Sequence, residues 1–267
     1  RGHSATYKPN ADGVNKAGVF RFNPGVENKI FPPKAPYYKT KTKKEKDVID
    51  RILDQKQTSR AIRANNEILS KKYNLPLGKP MSYLETNEGK ENPKFKKKKE
   101  DGYQTNCTLC TVTHLLRRRG FNVEASPNTS VKTHRDGRLY EFYEQNKMTW
   151  RERFLNKDKT SPTYISSNKW SKKRGIKNMK DKHLYSFLRE NLSKDGLYEI
   201  AVDWKAGGSH VFCVEVVNGE KHYFDPQNGE SNVSNYLKII KPQNVDILRI
   251  DDKIVNPKIE SLFLPIK

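Results

Sequence analysis

Cysteine, histidine and aspartate stand in this chain at positions where they could form a nucleophilic site. Cys107 opens an apolar helical pattern after a polar loop, His210 opens a predicted strand, and Asp225 ends the next strand. In a cysteine hydrolase a thiolate attacks a carbonyl group, a histidine carries the proton, and a third polar group orients the imidazole ring. These residues therefore predict acyl transfer with Cys107 as the nucleophile, His210 as base and acid, and Asp225 as the orienting group.

The helix that delivers Cys107 is predicted by its apolar residues and by its ends. Apolar side chains recur at helical spacing over residues 109–116. Thr105 and Asn106 suit the N-cap of a helix, and Gly120 suits the position after its C-terminus. Because a helix N-terminus carries partial positive charge and unpaired N–H groups, we expect it to favour the thiolate form of Cys107.

A tight turn at Asn218-Gly219 predicts how the histidine and the aspartate meet. The strands predicted on its two sides contain His210 at the far end of the first and Asp225 at the end of the second. A hairpin centred on this turn pairs residues whose numbers sum to about 437. His210 should therefore face the chain near Gln227, with Asp225 beside it.

The elements around these residues predict an α+β fold. A helix is expected over residues 181–193, a strand over 198–204, then the hairpin, and a last strand near 245–250. A helix that precedes an antiparallel sheet is the α+β order. Residues 126–180 show no clear period, so we expect a loop-rich insertion there, which could shape a substrate cleft or be a plain surface excursion.

Four segments are predicted along the chain. Residues 1–43 hold several prolines and scattered aromatic residues, which indicates an extended arm. Residues 44–80 carry an amphipathic helical pattern that two prolines end. Residues 81–102 are polar and close with lysines, which predicts a basic linker. Residues 103–267 form the predicted catalytic domain.

The charge of the chain is strongly positive. Lysine and arginine number 52 against 31 acidic residues, a net charge of +21. Such a charge favours nucleic acid, lipid head groups or acidic proteins, although a soluble chain with a basic tether would carry it as well. The lysine runs, such as Lys96–Lys99, allow a weak nucleic-acid contact, but no nucleic-acid-binding motif accompanies them. No apolar run approaches the ~20 residues of a membrane span, so no membrane contact is predicted.

Three stretches of this sequence resemble one family. They are the cysteine motif over residues 106–125, which begins NCTLC and ends RRRGFNVEA, GSHVF over 208–212, and YFDPQNG over 223–229. In this order they resemble the papain-like fold toxins, the catalytic domains at the C-termini of bacterial polymorphic toxins. The resemblance covers a minority of the chain and does not extend to residues 1–90.

The resemblance implies a papain-like α+β fold with a triad of Cys107, His210 and Asp225. Related domains are glutamine deamidases or peptidases that act on host proteins, and similar cysteine motifs occur in proteins associated with phage heads. We therefore expect an effector that is secreted or delivered, or a virion-associated protein, that acts in a reducing host cytoplasm. Residues 1–80 would contact a delivery machine or a phage capsid. A non-enzymatic virion or cargo protein that retains the fold is the alternative.

The oxyanion-stabilising group is the point where the sequence departs from papain. In papain a glutamine lies about six residues before the cysteine, whereas here Gln104 precedes Cys107 by three. The candidates for this role are the backbone N–H group of Cys107 and the side chain of Asn106 or Gln104. Gln227 is a further supporting residue.

A metal or redox site competes with the hydrolase interpretation. Cys107, Cys110 and His114 share one face of the predicted helix and could bind Zn²⁺, with Cys213 or a distant histidine as the fourth ligand. No second Cys-x-x-Cys pair is present, and a lysine-rich loop rather than a strand precedes the motif. We therefore predict no metal and no cofactor. Since Cys213 follows His210 by three residues, we expect it to face away from Cys107.

Overall fold

The computed structural model describes residues 59–87, 89–96 and 102–266. The expected arm over 1–43 and the first part of the helical segment predicted over 44–80 lie outside these ranges. Within them, helices pack on an antiparallel sheet, which confirms the predicted α+β class. The helices are α1 (Arg60–Glu67), α2 (Tyr83–Thr86), α3 (Cys107–Arg118), α4 (Arg138–Gln145), α5 (Ser167–Lys173) and α6 (Asp181–Asn191).

A five-stranded sheet forms the centre of the fold. Its strand order is β3-β7-β4-β5-β6, and each neighbouring pair is antiparallel. Two short pairs, β1 with β9 and β2 with β8, lie outside it. The strands are β1 (Val123–Ala125), β2 (Phe154–Leu155), β3 (Ile165–Ser166), β4 (Gly196–Trp204), β5 (Ser209–Val217), β6 (Glu220–Phe224), β7 (Ile240–Arg249), β8 (Ile254–Val255) and β9 (Phe263–Pro265).

The two faces of the central sheet bury different helices. On β5, Val211 and Cys213 belong to the apolar cluster that contains α3. The alternate residues Phe212 and Val214 belong to a second cluster, which contains apolar residues of α5 and α6. A strand whose alternate side chains are all buried lies between two layers, and every residue of β4 is buried accordingly.

The β5–β6 hairpin has the predicted register. Val217 pairs with Glu220 next to the turn, and Cys213 pairs with Phe224 where the ladder ends. Asn218 has φ 52° and Gly219 has φ 79°, the left-handed conformations that a two-residue hairpin turn requires. The turn chemistry thus sets the register that carries the chain to Asp225.

The described part of residues 81–102 packs against α3, which corrects the expectation of a linker there. Tyr83, Glu91 and Asn92 are buried. Glu91 Oε1 lies 2.7 Å from Nδ1 of His114 on α3, and the Ala125 N–H donates to the Glu91 carbonyl group at 2.9 Å. Polar composition suggested a solvated segment, but these polar groups find buried partners instead.

The range 126–180 contains more regular structure than a loop-rich insertion would. It includes α4, α5 and a 3-10 helix at Trp150–Arg153, which leads directly into β2. Trp150 and Trp170 are buried, one in each apolar cluster. This region therefore contributes to both layers of the fold.

Candidate active site

Cys107 is the first residue of α3 and is completely buried. The helix lies on the sheet face that carries Val211 and Cys213. Within the helix, the Thr113 hydroxyl group donates to the Leu109 carbonyl group at 2.9 Å. The thiol therefore sits where the sequence predicted it, at the N-terminal end of a buried helix.

His210 and Asp225 meet at the end of the hairpin. Nε2 of His210 lies 2.8 Å from Oδ2 of Asp225, and both side chains are fully buried. Asp225 is itself held in place, because its Oδ1 accepts from the Gln227 N–H group at 2.9 Å and its Oδ2 accepts from the Tyr236 hydroxyl group at 3.1 Å. The carboxylate is thus fixed by Gln227 and Tyr236 and fixes the imidazole ring in turn.

The environment of His210 favours its protonated form. Burial lowers the pKa of His210, but the charge and hydrogen bond of Asp225 and a hydrogen bond with Cys107 outweigh it and raise the pKa to about 10. An imidazolium between a carboxylate and a thiol is the arrangement that stabilises a thiolate. The carboxylate of Asp225 and the thiol of Cys107 both act to keep His210 protonated.

Cys107 and His210 meet at the ends of their elements. His210 is the second residue of β5, and its ring stacks between Trp204 and Phe212, with centroid distances of 5.7 Å and 6.2 Å. Phe212 belongs to the apolar cluster on the sheet face opposite α3. The ring therefore contacts Cys107 around the end of the sheet, where α3 begins.

The side chain of Gln227 caps the first turn of α3. With its amide oriented to face the surrounding donors, the Gln227 oxygen accepts from the N–H groups of Cys107 at 2.9 Å and Asn106 at 3.1 Å. Its backbone is held as well, by Oδ1 of Asp225 on the N–H side and by Nδ2 of Asn92 on the carbonyl side, both at 2.9 Å. Gln227 therefore joins the hairpin to the cysteine helix.

The other two oxyanion candidates are directed elsewhere. Nε2 of Gln104 donates to the Phe95 carbonyl group at 2.6 Å. Nδ2 of Asn106 donates to Oδ1 of Asn92 and to the Ser126 carbonyl group, each at 3.1 Å. Asn106 immediately precedes α3, as predicted for an N-cap, but its side chain makes no capping hydrogen bond. The Gln227 oxygen accepts from the N–H groups at the start of α3 instead.

Asn92 is a residue of the site that the sequence analysis missed. Its Nδ2 lies 2.9 Å from the carbonyl oxygens of Tyr103 and Gln227 and 3.3 Å from Oδ1 of Asn106. The side chain is buried and ties the loop before α3, the start of α3 and the loop after β6 together. An asparagine in a lysine-rich polar stretch gives no signal of this position, since polar loops are rich in asparagine.

Cys110 and Cys213 lie in the same apolar cluster as Cys107, so the expectation that Cys213 faces away from Cys107 was wrong. Cys213 does lie on the opposite face of β5 from His210, but that face is the one that α3 covers. All three thiols are free, and burial raises the pKa of Cys110 and of Cys213 well above the ordinary value. Over the ranges that the structure describes, no three His, Cys, Asp or Glu side chains could hold a metal ion together.

The buried ion pair of Arg153 and Glu199 is hydrogen-bonded to α3. Arg153 donates to Oε1 of Glu199 at 2.7 Å, and Tyr164 donates to the same oxygen at 2.8 Å. The Thr111 hydroxyl group of α3 donates to the other Glu199 oxygen at 2.5 Å, and Arg153 also donates to the Thr108 carbonyl group. These bonds anchor the first two turns of α3 to strand β4.

Among the described residues, no helix has the length and apolar character to cross a membrane. No protein-family model, curated protein or solved structure matches this chain. Inference about its activity therefore depends on the geometry of its own residues.

Proposed function

We propose that this chain is a thiol-dependent acyl-transfer hydrolase. The observation that carries the proposal is the position of His210, between the carboxylate of Asp225 and the thiol of Cys107. The family resemblance of the three sequence motifs gives the same assignment and extends it to a papain-like fold. The residues needed are a nucleophile, a proton carrier and an orienting acid, and all three are on hand.

The reaction begins with the Cys107 thiolate, whose charge the His210 imidazolium balances. The sulfur attacks a carbonyl carbon, and His210 gives its proton to the departing amine or ammonia. Water then attacks the thioester while neutral His210 accepts a proton from it, which releases the acid and restores the thiol pair. Asp225 holds the ring so that the same nitrogen faces the thiol and the leaving group throughout.

Both a glutamine carboxamide and a peptide bond satisfy this scheme. In the first case ammonia leaves and the protein substrate is deamidated, and in the second the chain is cut. Burial of Cys107 and His210 favours the slender carboxamide side chain, because a peptidase holds an extended main chain against its nucleophile. Under the resemblance, the substrate is a host protein met in a reducing cytoplasm, after delivery by a toxin system or a phage particle.

A non-enzymatic virion or cargo protein is the second candidate. The same complete burial of Cys107 and His210 favours it, since a fold that is kept without its activity has no need to expose a thiol. In that case the two residues would serve packing, and residues 1–80 would carry the function by contact with a capsid or delivery machine.

Thiol reactivity separates these two candidates. We expect iodoacetamide to label Cys107 in preference to Cys110 and Cys213, down to about pH 6, with sites resolved by mass spectrometry. The His210→Ala variant should lose this fast labelling at low pH, while His183→Ala, a histidine on α6, should keep it. If Cys107 titrates as an ordinary thiol near pH ~8.5 in the wild type, the hydrolase proposal fails. If it passes, substrates are scored both for Gln-to-Glu conversion and for new chain ends.

A further inference from the structure

A cleft of about 580 Å³ lies beside the candidate active site. One wall is the segment 89–96, and the other is the loop that follows Asp225, the residue after β6. The segment 89–96 belongs to the range that composition alone assigned to a linker. Lys90, Asn92 and Lys96 line the first wall, and Asn228 and Glu230 line the second.

The first wall of this cleft is hydrogen-bonded to the residues next to Cys107. Asn92 lines the cleft, and its Nδ2 lies 2.9 Å from the Gln227 carbonyl oxygen and 3.3 Å from Oδ1 of Asn106. Gln227 in turn contacts the backbone of Cys107. A ligand against this wall is therefore separated from the start of α3 by a single side chain.

The second wall is hydrogen-bonded to the acidic member of the triad. Nδ2 of Asn228 donates to the Tyr236 hydroxyl group at 2.9 Å, and that hydroxyl group donates to Asp225. The Asp225 N–H group also donates to the Glu230 carbonyl group at 2.9 Å. Both walls thus belong to the structure that holds Cys107, His210 and Asp225 together.

The cleft carries net positive charge. Lys90 and Lys96 lie on the first wall and are exposed, whereas Glu91 between them is buried against His114 and offers no charge to the cleft. The second wall contributes one acid, Glu230, which is half-buried and whose pKa burial raises. With two lysines against one acid, the cleft attracts ligands of negative charge.

We propose that this cleft binds an acidic segment of the substrate protein, on one side of the residue whose carbonyl group Cys107 attacks. The inference rests on the proposed hydrolase function and adds the class of substrate to it. Lys90 and Lys96 then determine specificity without taking part in the chemistry. Acidic residues beside the reactive residue raise its rate of capture, and basic ones lower it.

The test compares the rates at which two peptide probes react with the 267-residue chain. Each carries a chloromethyl ketone in place of a glutamine carboxamide, flanked by glutamates in one peptide and by lysines in the other. In labelling, the thiolate sulfur bonds to the methylene carbon and chloride leaves. We expect Cys107 to react with the acidic probe about tenfold faster than with the basic probe at low salt, and the ratio to fall toward unity at high salt.

Charge reversal on the cleft supplies the matched comparison. The Lys90→Glu/Lys96→Glu double variant should lose or invert the preference for the acidic probe. The Lys172→Glu/Lys173→Glu double variant, which changes α5 by the same charge, should keep it. Equal loss in both variants would show attraction by overall charge and overturn the cleft proposal. The rates of both probes are divided by the iodoacetamide rate of the same variant, so that a change in the thiol itself does not count as a change of preference.

The outcomes separate the cleft from the chemistry. If iodoacetamide labels Cys107 selectively but the two peptide probes react equally, the cleft proposal fails and the hydrolase proposal stands. If no reagent selects Cys107, the hydrolase proposal fails.

Fluorescence anisotropy of the same peptides without the electrophile, measured on Cys107→Ala, then tests the cleft alone. Tighter binding of the acidic peptide, weakened only by the Lys90/Lys96 variant, supports the cleft proposal, and equal binding of the two peptides overturns it. A short single-stranded DNA that outcompetes the acidic peptide would assign the cleft to nucleic acid instead.

Discussion

The side-chain oxygen of Gln227 lies 2.9 Å from the backbone nitrogen of Cys107. In a cysteine hydrolase, this backbone N–H group is one that stabilises the oxyanion formed when the thiolate attacks. Here the donor already has an acceptor within the protein. A substrate carbonyl group that uses the same N–H group must displace the Gln227 oxygen, so binding and capping compete for one donor.

Replacement of Gln227 should therefore affect both stability and reactivity. Gln227→Ala leaves the N–H groups of Cys107 and Asn106 without an acceptor, and we expect the free energy of unfolding to fall by about 1–2 kcal/mol. Gln227→Glu keeps the acceptor but buries a carboxylate close to Asp225 and Cys107, so we expect its stability to fall as well. Its labelling by iodoacetamide at neutral pH should be slower than wild type. Urea unfolding and labelling rates check both, and unchanged stability in Gln227→Ala would exclude the capping role.

The pair of His210 and Asp225 predicts a specific pH dependence of stability. The pKa of His210 is raised from 6.5 to about 10 in the folded chain, so its contribution is complete below pH 6.5 and is lost as pH rises through about 10. The Asp225→Asn variant lacks the charge that raises this pKa, so burial keeps the ring neutral. The unfolding midpoint in urea should then depend less on pH between about 6 and about 10.

Other groups also titrate in that range, so the comparison needs a matched acid. Asp158→Asn removes a fully exposed carboxylate and should leave the pH dependence of the wild type intact. A wild-type and an Asp225→Asn curve that stay parallel across the whole range would contradict the predicted coupling.

Asn92 should act as a positioning residue of the site. Asn92→Ala removes the donor shared by Tyr103, Asn106 and Gln227, which leaves buried acceptors unpaired and should cost about 2–3 kcal/mol. It should also move the pH profile of Cys107 labelling, because the start of α3 and the loop after β6 lose the side chain that is hydrogen-bonded to both.

A control for this prediction is Asn191→Ala on α6. The Asn191 side chain donates one hydrogen bond, to the Phe187 carbonyl group, far in sequence from the site residues. Its loss should lower stability by about 1 kcal/mol and leave the labelling profile in place. If Asn92→Ala lowers stability and leaves the profile in place as well, Asn92 has only a structural role.

The ion pair beneath α3 should be sensitive to removal of either partner. Arg153→Ala leaves the buried carboxylate of Glu199 uncompensated, and the expected loss is about 3–5 kcal/mol in the free energy of unfolding. Lys205→Ala removes an exposed pair with Asp181 and should cost about 0–1 kcal/mol. Calorimetry on Arg153→Ala, Glu199→Ala and the Arg153→Ala/Glu199→Ala double variant measures the coupling of the buried pair, and the same cycle on Lys205 and Asp181 measures that of the exposed pair. We expect the coupling to be large only for the buried pair.

The parts of the site that the sequence predicted were those set by local chemistry. The Asn218-Gly219 turn specifies a two-residue hairpin. The register of that hairpin determines which residues face each other, and it predicts that His210 lies near Asp225. The start of α3 at Cys107 was likewise encoded by neighbours within a few residues. Short-range rules were sufficient wherever the structure uses short-range contacts.

The parts that were missed depend on contacts between distant residues. Glu91 and Asn92 are polar, and only their partners on α3 and beyond β6 explain why they are buried. Gln104 lies close to Cys107 in sequence but bonds to Phe95, so proximity misplaced it. Hydrogen-bond partners of buried polar residues are chosen by the tertiary fold, and composition carries no record of them.

The hairpin separates the site into two parts with different folding requirements. His210 and Asp225 are 15 residues apart and are joined by one tight turn, so loop closure between them costs little. Cys107 arrives on a helix remote in sequence, and its contacts form only when α3 docks on the sheet. The approach of His210 to Asp225 therefore requires one hairpin, whereas the approach of Cys107 to His210 requires the sheet and the docked helix together. Any change that undocks α3 would remove Cys107 from His210 even where the hairpin stays intact.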